Sequence, residues 1–284
     1  MRPRAVVDLL SVSPGKKLPL LAEGLELICE HVGALTDSIT ELQASSSTRG
    51  IEPLEGLAAE EASKALILLD FVRMEVRNQR AARNHLAKYN QHLARGIYAQ
   101  VAGMSPGTLG ELRKYIDLLR RQYYLDGPND VDWVFRNEVV QAREEAQYVD
   151  YVAYEDEHRW VSPRDRWNPT SWRTAPAVEL VGALSRLGAC TEAGLTVVME
   201  TWKGVAVHDG TSWMEHAALL RSTVSQLVTQ GLHSSVATNE DVTLVLDRWT
   251  FPMGDIELSE IQVTKEDLRA ERERWEARMA GDWM

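Results

Sequence analysis

The chain has 284 residues, enough for one large domain or two medium ones, either with a real core. Hydrophobic content of 44% and charged content of 26% are ordinary globular values and exclude a disordered chain. A formal net charge of −11 argues against broad, non-specific nucleic-acid binding, although a local basic site is compatible with it. Two cysteines, Cys29 and Cys190, form neither a disulfide framework nor a metal-ligand spacing, which suits a reducing cytosol. The basic N-terminus carries too short an apolar run for a signal peptide, and no stretch of about 18 apolar residues predicts a membrane span.

In chain order, Ser13-Pro14-Gly15 reads as a turn. A helix follows over roughly 18–42, with Leu21, Leu25, Ile28, Val32, Leu35 and Ile39 at helical spacing. A polar loop through Gly50 ends it, and Pro53, favoured in a first turn, opens the next helix. Residues 80–102 predict a third helix, and Ser105-Pro106 predicts the cap of a fourth over 107–123. Short connections make these four an antiparallel bundle.

Residues 125–130 read as a loop and 135–151 as helical. Periodic runs cover 176–202 and 212–230, the latter stopped by Gly231. Residues 242–252 and 256–263 are β-prone and admit a small hairpin, and Thr264 to Asp267 resembles a capping box. All nine tryptophans lie at or after Trp133. Trp160, Trp167 and Trp172, with Pro163 and Pro169 interleaved, suggest a connector packed down by indoles. The expectation is an all-α fold: a helical bundle over 1–158 and a Trp-rich, mainly helical domain over 159–284.

Chemistry concentrates in 57–95. On a helical wheel at about 100° per residue, Glu61 falls inside the apolar arc of the second helix and needs a partner. It either holds an arginine from another helix or orients a catalytic or RNA-binding group. Glu60 sits at the edge, one turn from Lys64. His85, Lys88, His92 and Arg95 follow at spacings of three, four and three, along one flank of the third helix. Residues 73–95 hold six basic side chains, including Arg73, Arg77, Arg80 and Arg83, against the single acid Glu75. A histidine beside phosphate-binding arginines is suited to general acid or base work at neutral pH.

Asp126, Asp130 and Asp132 lack the glycine and terminal glutamate of an EF-hand, so no metal and no cofactor is expected. His208, His216 and His233 show no ligand spacing, and Cys190 reads as a packed thiol. Arg159, Arg164, Arg166 and Arg173 around Asp165 read as an interfacial cluster.

The run Ala58-Ala59-Glu60-Glu61-Ala62-Ser63-Lys64-Ala65, followed by Arg83-Asn84-His85-Leu86-Ala87-Lys88, resembles the AbiV-type HEPN family of bacterial abortive-infection proteins. The likeness covers about residues 18–123 and leaves the C-terminal half unassigned. It implies a HEPN-like bundle that pairs as a homodimer, with a composite site at the two-fold interface, in the cytoplasm. Many HEPN proteins are metal-independent ribonucleases carrying an arginine and, a few residues on, a histidine. Arg80 and His85 fit that spacing, so the expected catalytic pair is His85 activating a ribose 2′-hydroxyl and Arg80 stabilising phosphate charge. Glu60, Glu61, Lys64, Asn84 and Lys88 are then supporting or orienting residues, and Arg77, Arg83, His92 and Arg95 contact RNA.

The resemblance thus implies an anti-phage RNA-cleaving toxin, with a phage protein as trigger. The alternative is a non-catalytic module that binds a phage protein or RNA, or neutralises a partner toxin. Ala81 after Arg80, where these nucleases carry a polar residue, is a departure from the family pattern.

Overall fold

The computed structural model describes residues 5–45, 49–74, 79–125, 134–154, 157–163 and 174–281. The chain is mainly helical, as its periodicity predicts. Helix α1 (Pro14–Ala44) buries all six of the residues expected at its core face, Leu21 through Ile39. Helix α2 (Ile51–Arg73) is the central element. It packs against α1, α4 (His92–Val101), α6 (Glu138–Gln147), α7 (Pro176–Arg186) and α8 (Glu192–Trp202). In its N-terminal half Ala58 and Ala65 lie inside, as the predicted apolar arc requires, but Leu57, expected on that arc, is 40% exposed, and Ala62, outside it, is buried. From Ala65 to Arg73 every residue is buried, because helices surround it on several sides.

The third helix is not continuous. It runs as α3 (Gln79–Ala87), tightens into a 3-10 turn at Lys88–Asn90, and restarts as α4 after Gln91, whose backbone is extended at φ −102° and ψ 120°. Helix α5 (Leu109–Arg120) is capped by Thr108, whose hydroxyl accepts from the amide of Glu111, rather than by Ser105. Helix α6 is shorter than expected and is preceded by a hairpin, β1 (Gln122–Leu125) with β2 (Val134–Asn137). Asn137, 2% exposed, caps α6 with its Oδ1 and donates from Nδ2 to the carbonyls of Leu119 and Arg121. One buried amide therefore fixes where α6 begins.

A second antiparallel hairpin, β3 (Asp150–Tyr154) with β4 (Glu157–Val161), follows α6. Among the described residues the strands are those of these two hairpins, and 242–263 forms none. Residues 239–248 form α10 (Asn239–Arg248), started by a reciprocal cap between Thr238 and Asp241. Asp241 also takes Arg186 of α7 at 2.6 Å, so the β-prone composition yields to a capped and tethered helix. The run 176–202 is two helices, turned at Gly188 with φ +84° and capped by Thr191. Helix α9 (Trp213–Thr229) carries the capping box of Ser212 and Glu215 and ends before Gly231, φ +69°. Thr264 and Asp267 cap each other at the start of α11 (Lys265–Gly281).

One contiguous hydrophobic core runs from Leu21 to Leu258 and draws on residues from both sides of 158. The expected boundary near 158–159 therefore does not divide the core: α7 and α8 pack directly on α1 and α2. Nor is the connector packed down throughout, since Trp160 is 71% exposed. Trp167, Trp172, Asp126, Asp130, Asp132, Arg164, Asp165, Arg166 and Arg173 lie outside the described residues.

Candidate functional site

Two polar centres grow from the motif-bearing helices, one inside and one at the surface. The inner one starts at Asp70, on the all-buried half of α2. Its carboxylate accepts from Arg73 one turn on (2.7 Å), from the hydroxyl of Tyr98 on α4 (2.9 Å) and from the backbone amide of Met253 (2.8 Å). Arg73 donates onward to the carbonyl of Trp249, and its guanidinium lies between the rings of Trp202 and Trp249, at 4.7 and 4.2 Å. Lys88, in the 3-10 turn, donates to the carbonyls of Met253 and Gly254 at 3.0 and 2.8 Å.

Burial lowers the pKa of Arg73 against the opposing pull of Asp70, brings the ammonium of Lys88 down to about 8, and raises the Tyr98 hydroxyl well above its usual range. A strap of residues 249–258 thus closes over charges supplied by α2, the 3-10 turn and α4.

His85 belongs to this interior. It is 1% exposed, its Nε2 donates to the carbonyl of Ile67 at 2.7 Å, and its ring stacks parallel to Phe71 at 6.3 Å. That donation leaves the lone pair on Nδ1, which is buried with no partner. Burial first, and the nearby charge of Lys88 second, pull its pKa down to about 4. It is neutral at pH 7, and no ribose reaches it. Arg80 lies on the same helix and is exposed. Five residues along a helix turn a side chain by about 140°, so the two point apart. The structure does not bring Arg80 and His85 together, and the expected catalytic pair is corrected on that geometry.

The surface centre is built on Glu60. Its Oε2 takes Arg95 of α4 at 2.8 Å and His92 Nδ1 at 2.9 Å, and its Oε1 takes Arg143 of α6 at 2.9 Å. The last contact is a close ion pair and not an aligned hydrogen bond, since the Arg143 N–H points elsewhere. Glu60 is only 13% exposed, whereas His92 is 50% exposed. Two guanidiniums against one carboxylate leave the cluster with an excess positive charge. Arg95 Nη2 lies against the imidazole, 2.7 Å from Nδ1 and 3.3 Å from Nε2. Beside it Glu61 pairs with Lys64, whose ammonium sits over the Tyr89 ring at 5.5 Å. The predicted partner of Glu61, an arginine from another helix, belongs instead to Glu60.

The helix break explains the sorting. On one continuous helix His85, Lys88, His92 and Arg95 would share a flank. With Gln91 extended, the first pair turns inward and the second turns to Glu60. Asn84 and Arg83 are exposed on α3, and Arg77 lies outside the described residues. Among the described residues no three His, Cys, Asp or Glu side chains converge as a metal site.

Sequence reasoning missed Asp70, Tyr98 and Arg143. Asp70 lies about 160° from Leu54 on the wheel, on the side a single-arc reading sends to solvent. The i, i+3 pairing with Arg73 was its one legible signal. Comparison of the chain with protein families, with characterised proteins and with solved structures gives no significant match.

Proposed function

We propose that the chain is a metal-independent RNA-cleaving protein of the AbiV-type HEPN kind, active in anti-phage defence, with its chemistry at Glu60, His92, Arg95 and Arg143. The observation that carries this reading is the half-exposed imidazole of His92, held through Nδ1 by a nearly buried carboxylate that also gathers two arginines. In the tautomer in which Nδ1 donates to Glu60, the lone pair lies on Nε2, where a general base needs it. In this reading Nε2 takes the proton of a ribose 2′-hydroxyl and the freed oxygen attacks the adjacent phosphorus. The 5′ oxygen leaves and is protonated by the imidazolium or by water. The products are a 2′,3′-cyclic phosphate and a 5′-hydroxyl. Arg95 and Arg143 stand where charge develops on the phosphate oxygens, and Arg80 and Arg83 serve as phosphate contacts further along the strand. The homodimer and the phage-protein trigger rest on the motif resemblance alone.

Glu60 also ties α2, α4 and α6 together, which favours a second reading: a non-catalytic binding module in which the cluster is a structural tie. The test is incubation of total cellular RNA in EDTA with wild-type, His92→Ala, Arg80→Ala and His85→Gln proteins, each checked for folding. Cleavage with cyclic-phosphate ends, lost by a factor of about 100 or more in His92→Ala, reduced only through weaker RNA binding in Arg80→Ala and retained in His85→Gln, supports the nuclease. Cleavage undiminished in His92→Ala removes the site. Inertness of all four leaves the binding module.

A further inference from the structure

The chain's two cysteines are far apart in sequence, and the fold brings them together. Cys29 lies on α1 next to Ile28, at the edge of that helix's core face. Cys190 lies in the turn between α7 and α8, and both of those helices pack against α1. The Cys190 thiol donates to the Cys29 sulfur, and so does the hydroxyl of Ser185 on α7. Both sulfurs are free thiols.

The turn holds Cys190 in place from both sides. The amides of Gly188 and Ala189 close on the carbonyls of Ser185 and Leu184, each at 2.9 Å, and the Thr191 hydroxyl donates to the Gly188 carbonyl at 2.8 Å. Cys190 is 6% exposed, whereas Cys29 is only partly covered by its neighbours. One sulfur therefore meets solvent and the other stands behind it.

The two thiols also differ in acidity. Donation from Cys190 lowers the pKa of Cys29, burial opposes that, and Ser185 adds to the lowering. The same donation, together with burial, raises Cys190 well above the usual thiol range. The thiolate is the form that reacts with oxidants, so the reactive sulfur is the one nearer solvent. An accessible thiol of this kind beside a second thiol is the arrangement in which oxidation ends as a reversible disulfide.

We infer that Cys29 and Cys190 form a peroxide-oxidisable dithiol, a reversible modification site in which Cys29 attacks and Cys190 resolves. The Cys29 thiolate attacks one peroxide oxygen, the O–O bond breaks, and the departing hydroxide takes a proton from solvent to become water. Cys29 is left as a sulfenic acid. The Cys190 sulfur then attacks the Cys29 sulfur and gives up its proton, the S–O bond breaks, and a second water leaves. Two electrons pass from the thiols to the peroxide. The bridge ties α1 to the α7–α8 turn, and all three helices pack on α2. It closes a long loop of chain, which restricts the unfolded state and raises the melting temperature.

The test treats the full reduced chain with a small molar excess of hydrogen peroxide and maps its thiols by mass spectrometry. The expected product is a monomer lighter by two hydrogen atoms, with the Cys29 and Cys190 peptides linked and released again by dithiothreitol. It should melt several degrees above the reduced chain. Cys190→Ala should stop at a sulfenic acid on Cys29, captured by dimedone. Cys29→Ser should slow oxidation of the remaining thiol about tenfold or more. Two thiols still free after peroxide, links only between chains, or sulfinic acid on Cys29 with no bridge would each overturn the inference. These three outcomes are read on the wild-type chain, so they decide the matter even if a variant folds poorly. His92→Ala should form the same bridge whether or not RNA is cleaved, so the two proposals fail separately.

Discussion

His85 reaches the folded state neutral, and that makes it a stability group with a defined pH window. Its pKa is about 4 in the fold and near 6.5 in the unfolded chain. Above 6.5 neither state holds the proton, and the burial of the neutral ring contributes in full. Between 6.5 and 4 only the unfolded chain takes it up, so stability falls with pH by up to about 3 kcal/mol. Urea denaturation at closely spaced pH values should show that slope, and His85→Gln, which can still donate to Ile67, should flatten it. An unchanged slope would place the acid sensitivity elsewhere. Asp70 is the opposite kind of residue, an ionised carboxylate answering Arg73, Tyr98 and the Met253 amide. Asp70→Ala leaves Arg73 buried without its counter-charge and should cost about 3–5 kcal/mol in chemical denaturation.

At the scale of the element, two glycines that look alike in sequence separate in the structure. A Cβ on Gly96 of α4 would lie 2.3 Å from Val139 Cγ1 of α6, whereas one on Gly56 of α2 meets nothing within 4 Å. Gly96→Ala should therefore push α6 outward at a cost of about 1–3 kcal/mol and, by moving Arg143, weaken RNA cleavage if the surface cluster is its site. Gly56→Ala should stabilise by up to about 1 kcal/mol. Melting curves of the pair, with cleavage assays of each, check both. The core face of α1 was legible because one partner face suffices for its six apolar positions. The break at 88–91 was not legible, for no proline or glycine marks it. There Lys88 bonds to carbonyls 165 and 166 residues further on, and such long-range bonds leave no local trace. Glu60, Lys64, His92 and Arg95 could be singled out from sequence, yet their grouping needed that break.

The whole molecule is held by its end as much as by its centre. Trp249, Phe251, Met253, Ile256 and Leu258 of the strap are all buried in the common core. Five such side chains at about 1.5–3 kcal/mol each contribute as much as a typical domain's entire net stability. A chain ended at Arg248 should therefore show no cooperative thermal transition, and a folded, cooperative truncation would assign the strap a dispensable role. A single core across 158 also explains why tryptophan distribution misled as a domain marker. Trp202 and Trp249 do not build a separate unit; they flank Arg73 of α2.

That long-range closure sets an order of events during synthesis. Asp70 and the amide of Met253 are 183 residues apart. At about 5–20 residues per second, the carboxylate waits roughly 10–40 s for its last partner to be made. Through that interval the motif-bearing helices emerge with an incomplete interior, and Lys88 has no carbonyls to bond. The interior around Asp70 and Lys88 is thus completed only once residues 249–258 have been made and have left the ribosome.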